Sequence, residues 1–293
     1  MARLDRLATL CVGRPLAKLL GPVAGSRVPI LMYHSISDNL FGMSHPYYQI
    51  NTSPEVFAHQ MRWLRNRGFR SIDLCELIQK FASQENLDKT VVITFDDGYR
   101  DFLDGALPTL KQCGFSATIF LATDRIQELP TRLNGAEYLT WRDVRELRRE
   151  GMCFGSHTVT HPDMRSLGPE QIEYELGYSK EVIEQKLGEP VNSFAYPFAF
   201  PEEDHNFTRF LQDALETQGF LNGVTTILGR ASRQSSPYFL PRLPVNHADD
   251  EDFLQAKLEG AYDWMHWPQR LYKTLHHKVP PMQQSVVVDT DNR

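Results

Sequence analysis

The apolar positions follow two rhythms. Short runs rich in β-branched and aromatic residues occur at 28–34, 69–74, 91–95, 116–121, 152–156, 192–198, 223–227 and 239–245, and each reads as a buried strand. Between them, apolar residues recur at helical spacing. Ser53 is an N-cap followed by Pro54 in the first turn, with Phe57, Met61 and Leu64 on one face and Gly68 as the stop. Helices are likewise expected over 73–81, 101–112, 169–187 and 207–218. Gly114 ends the second of these, and a Thr140/Asp143 capping pair opens a further helix that Gly151 closes.

Strand and helix thus alternate about seven times, which implies parallel strands with helices outside them. A doubly wound open sheet and a closed barrel both satisfy that order. The barrel is favoured because polar residues stand at the C-terminal ends of several strands: His34, Asp96, Asp97, His157 and Asn246. An open sheet would gather its site at one switch point. The expected domain is a single α/β barrel over 27–260, with extensions at 1–26 and 261–293. From Gln283 the tail lacks helical periodicity and is expected to be disordered.

Composition changes this picture little. A chain of 293 residues with 41% apolar and 23% charged residues is an ordinary globular one, and a formal charge of −6 leaves no basic excess for nucleic acid. Cys11, Cys75, Cys113 and Cys153 are scattered, so neither a disulfide framework nor a zinc–thiolate site is indicated.

The termini matter more. Leu4, Leu7, Leu10, Leu16, Leu19 and Leu20 are interrupted by Arg14, Pro15 and Lys18, too charged for a signal-peptide core and too short to span a bilayer. They suit an amphipathic helix lying on the domain's own outside or, as the second reading, on a membrane surface. Trp264, Trp267, Arg270 and Lys273 form another amphipathic stretch, expected to cap the base of the barrel, with membrane or partner contact as the alternative. A cytoplasmic or membrane-peripheral location is expected, and export is the alternative.

Candidate chemistry centres on two segments. The strand 91–95 delivers Asp96-Asp97-Gly98, and carboxylates are costly to bury without a cation or donors. Downstream, Gly155-Ser156-His157-Thr158-Val159-Thr160-His161-Pro162 supplies two histidines. Two imidazoles and one of the two aspartates make a facial N, N, O set for a divalent metal with open coordination positions, the pattern of a catalytic rather than a structural site. Such a metal polarises a carbonyl and lowers the pKa of a bound water. The other aspartate is then free to act as base, and His34 is a candidate acid because it ends a neighbouring strand. These parts describe metal-assisted hydrolysis of an amide or ester.

Thr94-Phe95-Asp96-Asp97-Gly98 together with His157-Thr158-Val159-Thr160-His161 resembles the first two motifs of the polysaccharide deacetylases, the carbohydrate esterase family 4 or NodB-homology group. The likeness extends through Tyr99-Arg100-Asp101, Ala117-Thr118-Ile119-Phe120 and Phe194-Ala195-Tyr196-Pro197-Phe198, and spans roughly Val28 to Val245. The resemblance implies a distorted (β/α)7 barrel, Asp96 as base, and Asp97, His157 and His161 as ligands of one divalent ion, zinc foremost with cobalt or nickel as alternatives. The opening Ile30-Leu31-Met32-Tyr33-His34 resembles the circularly permuted poly-N-acetylglucosamine deacetylases, which implies His34 as the general acid. His247 is its rival, since unpermuted members carry that histidine late in the chain.

Two positions depart from the family pattern. Ala195 stands where many members have an arginine that orients the base, and Ala199 follows Phe198 where a glycine is usual. Arg242, on the last strand, is a candidate replacement, with a surface role as the alternative. Tyr196, Pro197 and Phe198 are the expected substrate segment, the Phe198 N–H facing the oxyanion. Tyr47, Tyr48, Tyr138, Trp141 and Phe200 are aromatic candidates for sugar stacking. The implied partner is an N-acetylated glycan. An acetyl ester, a small non-sugar amide and a binding barrel without turnover remain the other readings.

Overall fold

The apolar runs become the staves of a closed barrel. In the computed structural model, which describes residues 3–20, 27–38, 50–133 and 135–276, the strands are β1 (Ile30–Tyr33), β2 (Thr90–Phe95), β3 (Thr118–Leu121), β4 (Cys153–Ser156), β5 (Ser193–Ala195), β6 (Asn222–Leu228) and β7 (Leu240–Pro244). Each pairs in parallel with the next, and β7 pairs with β1, so seven strands close in chain order. The run at 69–74 is not a stave. It contributes only Arg70–Ser71, which pairs with Thr90 and Val91, while β3 pairs with Thr94 and Phe95 further along the same strand. Two strands therefore share one edge of β2, and this is where the barrel departs from regular closure.

Two-residue periodicity assigns the faces. Ile30, Val92, Phe120, Ala195, Val224 and Leu240, one from each of six strands, form a single buried cluster that fills the lumen. On β4 the inward position is Gly155, where a Cβ would collide with the Phe120 ring. Leu74 and Leu77 join the same cluster from below, so the barrel is a packed core and not a pore. The alternate residues Leu31, Tyr33, Ile93, Phe95, Ile119, Phe194 and Leu243 belong to the larger outer cluster under the helices. The inward register of β2 continues from Val92 through Thr94 to Asp96, and that of β7 from Leu240 to Arg242.

Helices α1 (Pro54–Asn66), α2 (Leu74–Ala82), α3 (Leu107–Cys113), α4 (Trp141–Arg149), α5 (Pro169–Leu187), α6 (His205–Thr217), α7 (Glu251–Glu259) and α8 (His266–His276) surround the staves. Ser53 caps α1 by accepting from the Val56 N–H at 3.3 Å, and the Thr140/Asp143 capping box opens α4. The single helix expected over 101–112 is instead a turn at Phe102–Gly105 followed by α3. Pro108 cannot donate within a continuous helix. Gly105 also packs so close to the Ile36 carbonyl that any side chain there would collide with it.

The N-terminal segment is helical from Leu4 to Leu20, with a π-helical stretch at Thr9–Gly13. It docks on α7 by its polar side. Arg3 pairs with Asp249 at 2.8 Å, Arg6 pairs with Asp250, and Trp264 donates to Thr9 Oγ1 at 3.1 Å. Leu4, Leu7 and Leu19 point outward. Helix α8 does not cap the base. Gln269 bonds the Leu228 N–H and the Thr226 carbonyl on β6, and His266 Nε2 lies 2.8 Å from Glu202 beside the mouth. The tail from Gln283, with Tyr47 and Tyr48, lies outside the described residues. Among those residues, no helix is long and apolar enough to cross a membrane.

Candidate active site

Strand ends at one rim of the barrel bring the polar residues together. Asp96 and Asp97 leave β2, His34 leaves β1, and His157 leaves β4. Arg242 rises from β7 inside the lumen and is fully buried. Its Nη1 and Nη2 each lie 2.7 Å from one oxygen of Asp96, a bidentate pair, while Nε donates to the Thr225 carbonyl at 2.9 Å. Nη1 also reaches Thr94 Oγ1 at 3.2 Å, and Thr94 donates to the Leu31 carbonyl. The guanidinium is thus fixed on three sides, and a surface role for Arg242 is excluded. Burial pushes the Asp96 carboxyl up, but the charge of Arg242 beside it, with His157 and His34, outweighs this and holds it below the ordinary carboxylate range.

Asp97, His157 and His161 form the second half of the site, with one ligand atom from each lying within 4.8 Å of the others. His161 Nε2 is 3.1 Å and His157 Nε2 4.0 Å from the same Asp97 oxygen. His157 Nδ1–H donates to the Ala195 carbonyl at 2.7 Å, which leaves Nε2 with its lone pair facing Asp97. Burial lowers the His157 pKa to about 4, so the ring is neutral at physiological pH. Two imidazole nitrogens and a carboxylate, converging and partly buried, fit a divalent metal with open positions.

The backbone here is bent into unusual conformations. Asp97, Thr158, His161 and Phe198 have φ of 73°, 70°, 59° and 57°. Non-glycine residues in this left-handed region carry a steric cost that the surroundings must sustain. On the histidine loop the sustaining group is Glu175 of α5. This buried carboxylate accepts from the Val159 N–H at 2.7 Å, the Thr160 N–H at 3.0 Å and the Thr160 hydroxyl at 2.7 Å. Sequence reasoning missed Glu175, yet a signal was available. It stands with Ile172, Leu176, Ser179 and Ile183 on the buried face of α5, a charged residue in an otherwise nearly apolar stripe. Arg125 was also missed; it pairs with the Asp97 carboxylate at 2.8 Å.

The two candidate acids are placed differently. His34 Nε2 lies 3.9 Å from Asp96 Oδ2, at the edge of the site. His247 is exposed, and its Nδ1 is 3.2 Å from Ser53 Oγ at the cap of α1. Phe198 is half exposed, with its ring 4.9 Å from that of His161, and its N–H makes no hydrogen bond among the described residues. The Tyr196 ring, by contrast, is core: it packs among Phe194, Phe200 and Phe239, and its buried hydroxyl has no partner among the described residues. Of the aromatic candidates for stacking, Tyr138, Trp141 and Phe200 are buried and serve as packing.

A parallel barrel that gathers paired carboxylates and two histidines at the C-terminal rim of its strands presents the side chains of a hydrolase. Comparison with known proteins gives the family. Residues 83–214 match the family described as Polysaccharide deacetylase. YxkH of Bacillus subtilis (strain 168), itself assigned to the polysaccharide deacetylases, is 30% identical over 222 residues, covering 75% of this chain and 72% of its own. The chain therefore belongs to the polysaccharide deacetylase family. The poly-β-1,6-N-acetyl-D-glucosamine N-deacetylase of Escherichia coli (strain K12) is 26% identical over 44% of this chain, which corresponds to 20% of that larger protein. Among solved structures, the Streptococcus pyogenes deacetylase PplD, in complex with acetate, superposes with a TM-score of 0.67 at 25% identity, covering 80% of this chain and 99% of that one.

Proposed function

We propose that the protein removes N-acetyl groups from N-acetylhexosamine units of an exopolysaccharide or cell-surface glycan, with one divalent metal ion, zinc foremost, held by Asp97, His157 and His161. The arrangement of Asp96 carries this reading. Its two oxygens are gripped by Arg242 at 2.7 Å, it is held in the ionised form, and it lies 3.9 Å from His34 with His157 also close enough to act on its charge. A carboxylate poised in this way is a base awaiting a proton. The named relatives support the substrate class, one of them acting on poly-N-acetylglucosamine and another holding acetate.

Bound metal supplies Lewis-acid polarisation of the acetyl carbonyl and acidifies a water. The chain's own residues do the rest. Asp96 takes the proton of the attacking water as its oxygen bonds to the acetyl carbon. The Phe198 N–H, which has no partner among the described residues, faces the developing oxyanion. His34 delivers a proton to the sugar nitrogen as the C–N bond breaks, leaving acetate and a free amine. Arg242 is a positioning residue, and it does from β7 what the motif arginine absent at Ala195 does in many relatives. Action on a cytoplasmic or membrane-linked glycan is part of the same proposal.

The test is acetate release from short N-acetylglucosamine oligomers by zinc-reconstituted protein, beside Asp96→Asn and a chelated sample. Release that needs both metal and Asp96 is expected. Turnover that survives chelation would remove the metal from the proposal. Metal bound at one equivalent with release only from acetylated xylan would move the substrate to O-acetyl esters. Failure to bind metal at all would leave a binding barrel without turnover.

A further inference from the structure

At the opposite end of the barrel from the active site lies a cleft of about 980 Å³, between the N-terminal helical segment and the start of β2. Pockets that take small organic ligands run to about 300–1,000 Å³. Two facing stretches of its wall are apolar. Ala8, Val12 and Leu16, spaced one helical turn apart, face Trp63, Phe69 and Leu87 across the gap. Val12 and Leu16 remain 64% and 50% exposed, so no side chain of the described residues fills the space between them.

The cleft has a charged end. Arg67 lies over the Trp63 ring at 4.8 Å, Lys89 lies over the Phe69 ring at 4.9 Å, and the two rings stack with centroids 6.4 Å apart. Elsewhere on the lining, Arg14 pairs with Glu259, and Arg27 and Arg230 pair with Asp263. Neither Arg67 nor Lys89 has a carboxylate within ion-pair distance among the described residues, and Asp88, the one acidic residue of the lining outside those pairs, is exposed. Two cations to one carboxylate at the end of an unfilled apolar trough favour an anion that carries its own apolar chain. The outer rim continues the theme. Leu4, Leu7 and Leu19 project from the segment that roofs the cleft. Exposed leucines beside basic residues are the composition of surfaces that lie in a bilayer interface.

We propose that this cleft binds an anionic phospholipid of the membrane surface, an acyl chain lying between Val12 and Leu16 on one wall and Phe69 and Leu87 on the other, its phosphate held by Arg67 and Lys89. The lipid docks the barrel foot-down on the bilayer. The distance along β2 from Thr90 at the cleft to Asp96 is about 20 Å, at about 3.3 Å per residue. The catalytic rim would then open away from the membrane, towards a glycan extending from it. The site is independent of the deacetylase reading and is tested separately from it.

The test is flotation of the full chain with vesicles of phosphatidylcholine alone and of phosphatidylcholine with phosphatidylglycerol in equal parts. Three proteins are compared: wild type, Arg67→Gln/Lys89→Asn, and Val12→Asp/Leu16→Asp. None of these positions belongs to the catalytic machinery, so a thermal melt and turnover of soluble oligomers establish that each variant is folded. Binding to the phosphatidylglycerol vesicles is expected for wild type. The charge variant should weaken it about thirtyfold, each cation near an anionic surface being worth about fivefold. The aspartate variant should abolish it. Equal binding to both vesicle types, binding indifferent to the charge variant, or no binding by folded wild type would each overturn the proposal, whatever the deacetylase assay reports.

Discussion

Two buried cation–carboxylate clusters stand at either end of the same short stretch of chain, and they are built for different ends. At the mouth, Arg242 grips Asp96 through both oxygens, and the far side of that carboxylate looks onto His34 and the metal-type triangle. On the flank, Lys257 lies 2.8 Å from Asp249 and also donates to the Pro244 carbonyl, while Arg3 takes the other Asp249 oxygen at 2.8 Å. Phe253 lies under both cations, so this second cluster is closed on all sides. The first cluster leaves a charged oxygen with somewhere to send a proton. The second leaves none, and serves to pin the first turn of the chain to α7. Burial and pairing alone therefore do not mark a functional carboxylate; an unsealed side does.

The comparison breaks most visibly at Arg242. Arg242→Gln leaves the Asp96 carboxylate buried without its partner, a loss of about 3–5 kcal/mol if the charge persists. The sign of the pH effect follows from the depressed pKa. In the wild type, the stability and the ionised base are present above the ordinary carboxylate value and are lost as pH falls through the lowered one. Without the guanidinium, burial is opposed only by the nearby histidines, the carboxyl protonates at higher pH, and the acid limb of the kcat/KM profile moves upward with at least a hundredfold loss at neutral pH. An acid limb that stays in place would show that Arg242 does not hold the base. Glu175→Gln should come next, loosening the His157–His161 loop and weakening zinc about 10–100-fold, measured by competition with a chromophoric chelator.

Effects at the sealed cluster fall on stability alone. Lys257→Met strands one side of Asp249 and should cost about 3 kcal/mol, read as a melting temperature lower by about 6–12 °C, with turnover of soluble oligomers unchanged. A loss of turnover at saturating metal in that variant would erase the distinction between the clusters. The smallest effect is expected at His247, which lies on the connection between them. His247→Ala should change kcat by less than about twofold, whereas His34→Ala should cost about a hundredfold. The reverse ranking would transfer the acid role to His247.

Much of this was legible in the chain. The staves were visible because β-branched runs bury both faces, and the Asp-Asp and His-x-x-x-His segments fell at strand ends as alternation required. Arg242 was left open between site and surface, although its own register decides the matter. It follows Leu240 by two, and so faces inward as Thr94 and Asp96 do after Val92. What could not be read was anything set by contacts distant in sequence. The break at Ala106 had a local signal in Pro108, but the demotion of 69–74 depends on β2 having two partners along one edge, and the seat of α8 on Gln269 meeting β6. Tyr196 was misleading for a related reason, since motif position marks the backbone there while the ring belongs to the core.

The four left-handed residues around the metal-type triangle carry a consequence for the protein's history under selection. Glycine would sit at Thr158 or His161 with less strain, of order 1–3 kcal/mol each, so any screen that rewards thermal tolerance has an easy gain waiting there. At His161 that gain deletes a proposed ligand, and at Thr158 it removes the hydroxyl that receives the His161 N–H at 3.0 Å. Laboratory evolution for hardiness should therefore drift towards a sturdier barrel that has lost its chemistry, unless turnover is demanded in every round.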